Sequence, residues 1–197
     1  MADEKESKHG KVACLLGPGF EDSEFRIPYD RLRQAGYQVD IIGTKAGEQL
    51  KGDKGKETAT TNLGIDDADV DNYVGLLIPG GYSPDKLRAD DRFVQFVRDF
   101  DATKRPLAAV CHGPQLLLTA ELVKGRTLTA WKTIQGDLRQ AGARVQDQEV
   151  VVDDNWITSR KPDDLEAFSA KLIEELGEEE ERTGVQAPNE QALPPLA

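Results

Sequence analysis

The stretch AAVCHGPQLL, Ala108–Leu117, decides how the rest of the chain is read. Its first residues continue an apolar run that begins at Pro106, and a short apolar run ended by turn residues has the form of a strand buried on both faces. Pro114 then opens a helical pattern in its first turn, where the N–H that proline lacks would have had no partner. Cys111 stands at the junction. In Ala109-Val110-Cys111-His112-Gly113 the residues two before and two after the cysteine are small. That is the form of a nucleophile elbow, a strand-to-helix turn too tight for larger neighbours.

Working outward, the runs Val12–Gly17, Tyr37–Thr44, Tyr73–Gly81 and Pro106–Val110 predict central strands of a parallel sheet. Helical patterns lie between them. In EFRIPYDRLRQAG, Glu24–Gly36, the residues Phe25, Tyr29 and Leu32 share one face; Pro28 predicts an early kink or restart, and Gly36 a stop. Phe93, Phe96, Val97 and Phe100 form an apolar stripe in Asp90–Phe100, and PQLLLTAELV, Pro114–Val123, carries the next helix. LTAW, a helix around Ile134–Ala141, and EVVVDDNWITSR follow; the last reads as a hairpin turning at Asp153-Asp154-Asn155, before a final helix in Pro162–Leu176. Lys51–Leu63 reads as a loop or a weak edge hairpin. This alternation predicts one three-layer α/β/α sandwich over residues 11–176 with a mostly parallel central sheet. Residues 1–10 read as a flexible segment, and 177–197 as an acidic solvated tail.

Composition removes several functions. With 36 acidic against 25 basic residues the formal charge is −11, which excludes nucleic acid and anionic membrane as expected partners. Two cysteines, Cys14 and Cys111, make no disulfide framework, and no apolar span of membrane length or leader-type segment occurs. The expected setting is reducing and cytoplasmic. Cys14, His9, Cys111 and His112 lack metal-ligand spacing, and Gly17-Pro18-Gly19 lacks the rest of a nucleotide fingerprint, so neither metal nor cofactor is expected.

The elbow places Cys111 at the carboxyl end of the sheet, where ligands of open α/β sheets bind. The helix behind it is expected to favour a thiolate, lowering the thiol from its ordinary pKa of about 8.5. Ile78-Pro79-Gly80-Gly81 ends the preceding strand on the same side, where glycine amides can approach a developing oxyanion. Gly19–Glu24, after the first strand, reads as a helix start with Asp22 or Ser23 as cap. Glu21 is expected to project from the same edge and exchange a proton with the thiol. Cys14, inside VACLLG with no turn after it, reads as core.

FEDSE, the PGG turn, AVCHGPQLL and EVVVDDNWITSRKPDDL, in this order, resemble the PfpI/ThiJ superfamily over about Lys11–Leu176, and most of all its PfpI-type intracellular proteases and general stress proteins. The resemblance implies a flavodoxin-like sandwich and a homodimer, in some members a hexamer. By position Cys111 resembles the family nucleophile, His112 the histidine beside it, and Glu21 the carboxylic acid bonded to the sulfur. Gly80, Gly81 and the His112 amide resemble oxyanion donors, and Trp131 a pocket aromatic. Asp85 matches the acid that completes a Cys-His-acid triad from the neighbouring subunit, although it is one methylene shorter than the glutamate of some family proteases. Ala130 and Lys132 replace the Ser and Pro usual beside the aromatic.

The resemblance, taken with this site, implies three alternative functions. One is a stress-protective enzyme on reactive carbonyls, converting a 2-oxoaldehyde to a hydroxy acid or removing a glycation adduct through the Cys111 thiolate. Another is a cysteine peptidase in which His112 is general base and Asp85 orients it. A third is a redox sensor or chaperone that works through oxidation of Cys111 without turnover.

Overall fold

A computed structural model describes residues 9–184. Eleven strands and six helices follow in the order β1 (Lys11–Leu15), α1 (Asp22–Gln34), β2 (Gln38–Gly43), β3 (Gln49–Lys51), β4 (Thr58–Thr60), β5 (Leu63–Gly64), β6 (Gly75–Ile78), α2 (Ser83–Leu87), α3 (Asp91–Ala102), β7 (Leu107–Val110), α4 (Pro114–Thr119), β8 (Thr127–Leu128), α5 (Gln135–Gln140), β9 (Arg144–Val145), β10 (Val150–Asp153), β11 (Trp156–Ser159) and α6 (Leu165–Thr183). Seven strands form the main sheet in the order β10-β11-β7-β6-β1-β2-β5. All its pairings are parallel except β10 with β11. The fold is therefore the expected flavodoxin-like α/β sandwich.

β1, β6 and β7 are apolar throughout because both faces of the sheet are covered. On one face Leu15, Ile78 and Ala109 pack with Phe93, Phe96, Val97 and Phe100 of α3 and with Leu116 and Leu117 of α4. On the other, Cys14, Leu77 and Val110 pack with Phe25 and Leu32 of α1 and with Phe168, Leu172 and Leu176 of α6. Cys14 is core, as expected, and its thiol is driven up by burial. From β1 the chain moves to β2 on one side, and from β6 to β7 on the other. The carboxyl ends of β1, β6 and β7 thus meet at the point where the winding reverses, which is where an open α/β sheet offers a crevice to ligands.

Several local expectations change. Pro28 neither ends nor restarts its helix: α1 runs unbroken from Asp22 to Gln34 with Pro28 buried inside it, because Phe25 and Leu32 on either side are fixed in the core. The cap is Glu21, whose side chain accepts from the Glu24 amide, in place of Asp22 or Ser23. α4 stops at Thr119, and Glu121 takes a left-handed φ of 62°. The hairpin is real, but it begins at Gln49 and stands apart from the main sheet. α6 continues through Thr183 to a left-handed Gly184, seven residues into the expected tail. Lys171 pairs with Glu174 and Glu175, and Arg182 with Glu179, along its exposed face. Glu180 receives His9, whose ring also stacks on Tyr37. Residues 1–8 and 185–197, the remainder of the two expected terminal segments, lie outside the described residues.

Asp22 fixes the hairpin against α1. Its carboxylate accepts the backbone N–H groups of Lys54, Lys56 and Glu57 at 3.0, 2.7 and 2.7 Å. Burial works against its ionisation, but these amides outweigh it and hold Asp22 below the ordinary carboxylate value. Asp22→Ala would leave three donors without an acceptor, a loss of about 2–4 kcal/mol. The expected result is a lower denaturation midpoint and fast hydrogen exchange at Lys54, Lys56 and Glu57, with the β1 and β6 amides still protected.

Candidate active site

Cys111 adopts φ 60°, a left-handed conformation that a side chain occupies only under constraint. Its N–H donates to the Ser159 carbonyl at 3.0 Å, and its own carbonyl accepts from the Trp131 N–H at 2.9 Å. The small neighbours are needed as the elbow pattern requires: a Cβ on Gly113 would lie 2.5 Å from the Ile78 carbonyl oxygen. The turn therefore fixes the sulfur at the crevice, with the residue only 7% exposed.

The carboxyl group against the sulfur belongs to Glu24, which corrects the assignment to Glu21. Glu21 is the helix cap, and its carboxylate turns back to the Glu24 N–H at 2.8 Å, the Ser23 hydroxyl at 2.5 Å and the Lys54 ammonium at 2.5 Å. Glu24, one turn further along α1, points into the sheet edge and is 0% exposed. Its Oε2 accepts the Gly80 N–H at 2.9 Å, and its carboxyl interacts with the Cys111 thiol. Oε1 has no hydrogen-bond partner among the described residues. FEDSE offers four acidic or hydroxyl side chains in a row, and the sequence does not show which one caps. Once the cap is known, helical spacing selects the residue three further on.

Gly80 has a different part from the one expected. Its amide is taken by Glu24, so it is not an oxyanion donor. What it supplies is space, since a Cβ there would fall 2.3 Å from Glu24 Oε2 and 2.9 Å from the Cys111 Cβ. The amides of Gly81 and His112 face the sulfur and favour its negative form.

Glu24 and Cys111 each hold a proton more tightly than usual. Burial, followed by the charge of Glu21, pushes Glu24 up to about 8, against the opposing effects of Cys111, the Gly80 amide and Lys54. Burial also drives the Cys111 thiol up, as does an ionised Glu24, and the Gly81 and His112 amides offset only part of this. The thiol is thus raised, opposite to the sequence expectation. The six-residue α4 acts through local amides, and desolvation outweighs it. At neutral pH Glu24 holds a proton that it can give to an atom bound at the sulfur.

His112 lies beside the thiol, with Nδ1 3.4 Å from Sγ. Burial lowers its pKa and the negative charge of Asp85 opposes this, so Asp85 of the same chain acts on His112. The Asp85 carboxylate is itself held by the Arg88 guanidinium at 2.5 and 3.0 Å. Trp131 is half-buried, with its ring centroid 6.4 Å from that of His112. Cys111 and His112 are thus in contact, Asp85 acts on His112 and Trp131 lies beside it, whereas Glu21 turns away to the hairpin. Glu24 and Lys54 are the charged residues that sequence reasoning missed.

The sequence profile of the DJ-1/PfpI family matches residues 10–175, and the chain belongs to this family. Protein/nucleic acid deglycase 2 of Escherichia coli (strain K12) is 49% identical over 168 residues, covering 85% of this chain and 98% of that protein. A Bacillus subtilis (strain 168) protein provisionally named a cysteine protease, YraA, is 45% identical, covering 83% of this chain and 96% of its own. The crystal structure of an Anabaena variabilis two-domain protein with DJ-1/ThiJ/PfpI-like and ferritin-like domains superimposes with a TM-score of 0.84 at 36% identity, over 94% of this chain and 52% of that one. No helix among the described residues is long and apolar enough to cross a membrane.

The raised Glu24 carboxyl has a measurable consequence for stability. Below its ordinary value of 4.5 the group is protonated in both the folded and unfolded states. As pH rises from there to about 8, the unfolded chain releases the proton and the folded one keeps it, so folding weakens. The slope is at most about 1.4 kcal/mol per pH unit. Glu24→Gln removes this term, so urea denaturation should show the variant gaining on wild type steadily between pH 5 and 8. Parallel stability curves for the two proteins would contradict the assignment.

Proposed function

We propose that this protein is a cysteine-dependent enzyme acting on reactive carbonyl compounds, either 2-oxoaldehydes or the adducts they form on amines. The observation that carries this reading is the contact of Cys111 with the buried, protonated Glu24, beneath two amides that face the sulfur. Nucleophile, acid and oxyanion donors are all within reach of one small electrophilic carbon. The relative named as a deglycase supports the same substrate class.

For a 2-oxoaldehyde the steps balance as follows. The sulfur bonds to the aldehyde carbon while its proton passes to His112 Nδ1, which burial keeps neutral and 3.4 Å away. The carbonyl electron pair moves to oxygen, held by the Gly81 and His112 amides, and takes the Glu24 proton to give a hemithioacetal. The Glu24 carboxylate then removes the hydrogen from that carbon. The neighbouring carbonyl oxygen takes the His112 proton, so that an enediol forms; Glu24 then reprotonates that neighbouring carbon while the first hydroxyl returns its proton to His112, leaving the thioester of a 2-hydroxy acid. Water gives a proton back to Glu24 as it attacks the acyl carbon, the C–S bond breaks, and the His112 proton passes to the sulfur and restores the thiol. The net change is addition of one water, with no external oxidant or reductant.

A cysteine peptidase is the second reading, favoured by the His112–Cys111 contact and by the charge of Asp85 on His112. The relative provisionally named a protease points the same way. In this reading the expected homodimer, or a hexamer built from it, brings a second Asp85 towards the site.

The deciding measurement is consumption of methylglyoxal with identification of the product. Wild type is expected to form the 2-hydroxy acid, Cys111→Ala to lose turnover, and Glu24→Gln to fall by about 10²–10⁴. A folded wild-type protein that leaves methylglyoxal and glycated amines untouched, yet cleaves peptides, would replace the first reading with the second.

A further inference from the structure

Two carboxylates stand one turn apart at the start of α1, and only one of them touches the sulfur. Glu21 Oε2 sits on the backbone N–H of Glu24, and its Oε1 sits on the Lys54 ammonium at 2.5 Å. Lys54 is carried by the β3–β4 hairpin, and its backbone is not free to drift. The Lys54 N–H donates to Asp22, the same carboxylate that holds Lys56 and Glu57. Gly52 leaves the space for this, since a Cβ there would lie 2.5 Å from Asp22 Oδ2. Asp22, Glu21 and Glu24 thus each make a different contact. Asp22 holds the hairpin backbone, Glu21 holds its cation, and Glu24 holds the nucleophile.

We propose that Lys54 is a positioning residue of the reacting pair: by holding Glu21 as an ion pair, it sets how tightly Glu24 keeps its proton beside Cys111. Its meaning for catalysis rests on the function proposed above, whereas the electrostatic claim stands on geometry alone. Uncompensated, Glu21 would place a negative charge one helical turn from a carboxyl that has no access to water. Glu24 would then hold its proton more tightly and give it up less readily to a bound oxygen. With the ammonium in place much of that field is cancelled, and Glu24 can cycle between acid and base as the proposed reaction requires.

The charges facing this group are few. Glu24 meets Glu21 on its own helix, Lys54 on the hairpin, Cys111 on the elbow and the Gly80 amide after β6. Lys54 meets Asp22 and Asp53 in addition to Glu21. His112 faces the charge of Asp85. The Lys54 side chain is 54% exposed and that of Glu21 9%, so the cation is reachable by salt and the anion is not. A cation on the water side of a buried anion is a position from which substitution changes the field without opening the core.

The test is a pH titration of Glu24 itself, followed by carboxyl ¹³C NMR and assigned by the resonance missing in Glu24→Gln. Lys54→Met should raise the Glu24 midpoint by about half a unit or more, a threefold or greater gain in proton affinity. Lys54→Arg should keep the wild-type midpoint, and Glu21→Gln should lower it. A Glu24 midpoint unmoved in folded Lys54→Met, or unmoved in Glu21→Gln, overturns the inference; the second variant decides the matter if the first does not fold. The titration needs no substrate. A protein inactive on every carbonyl would therefore sink the proposed reaction and leave this result intact, and an unmoved midpoint in an active enzyme would do the reverse.

Discussion

The buried contact between Glu24 and Cys111 organises this structure. Neither group is reachable by enough water to ionise alone, and both cannot be charged at their separation without large cost. Everything around them serves that constraint. The Gly80 amide fixes one carboxyl oxygen, the absence of a side chain on Gly80 lets the two groups meet, and two further amides wait on the sulfur. A buried nucleophile of this kind takes its reactivity from the proton donors and acceptors around it rather than from a lowered thiol pKa. In that respect the site differs from one in which a long helix alone supports a thiolate.

The constraint reaches into the fold through the winding of the sheet. Glu24 follows β1, Gly80 follows β6 and Cys111 follows β7, three adjacent strands in the middle of the sheet. Because these strands are parallel, their carboxyl ends open on one edge, and residues 24, 80 and 111 come together without any long loop. The hairpin adds a fourth contribution from outside the main sheet, tied down by Asp22. The positions of the two layers follow from the same arrangement. α1 must lie close to β1 for Glu24 to reach the edge, and Phe25 and Leu32 bury its inner face there.

The central strands were legible because their apolar runs have only one reading at that length: Leu107–Val110 and Gly75–Ile78 are apolar on both faces, and nothing but a covered parallel sheet hides both. The elbow was legible from the small residues flanking Cys111. The identity of the acid was not, because FEDSE contains three carboxylates and the choice among them turns on which residue caps α1. Capping is settled by a hydrogen bond between side chain and amide, and propensity ranks Asp and Ser above the residue that does it. Lys54 was invisible for another reason. It lies thirty-three residues from Glu21 in a polar stretch with weak periodicity, and only the Asp22 anchor brings it back. The extent of α6 was misjudged at Gly177, where a helix-weakening residue is carried by the buried Leu176 before it and by the ion pairs after it.

The strained φ of Cys111 fits the same logic. A left-handed conformation costs a non-glycine residue about 1–3 kcal/mol, and local sequence gives no compensation for it. The compensation is tertiary. Ser159 of β11 takes the cysteine's N–H, Trp131 donates to its carbonyl, and Val110 and Leu116 on either side are wholly buried in the two opposing layers. Relaxing the turn would rotate the sulfur away from Glu24 and leave a buried carboxyl facing apolar walls. The strain and the buried acid are therefore coupled: the acid is tolerable in the core because the elbow presents it with a partner, and the elbow holds its shape because the sheet on both sides leaves it no other.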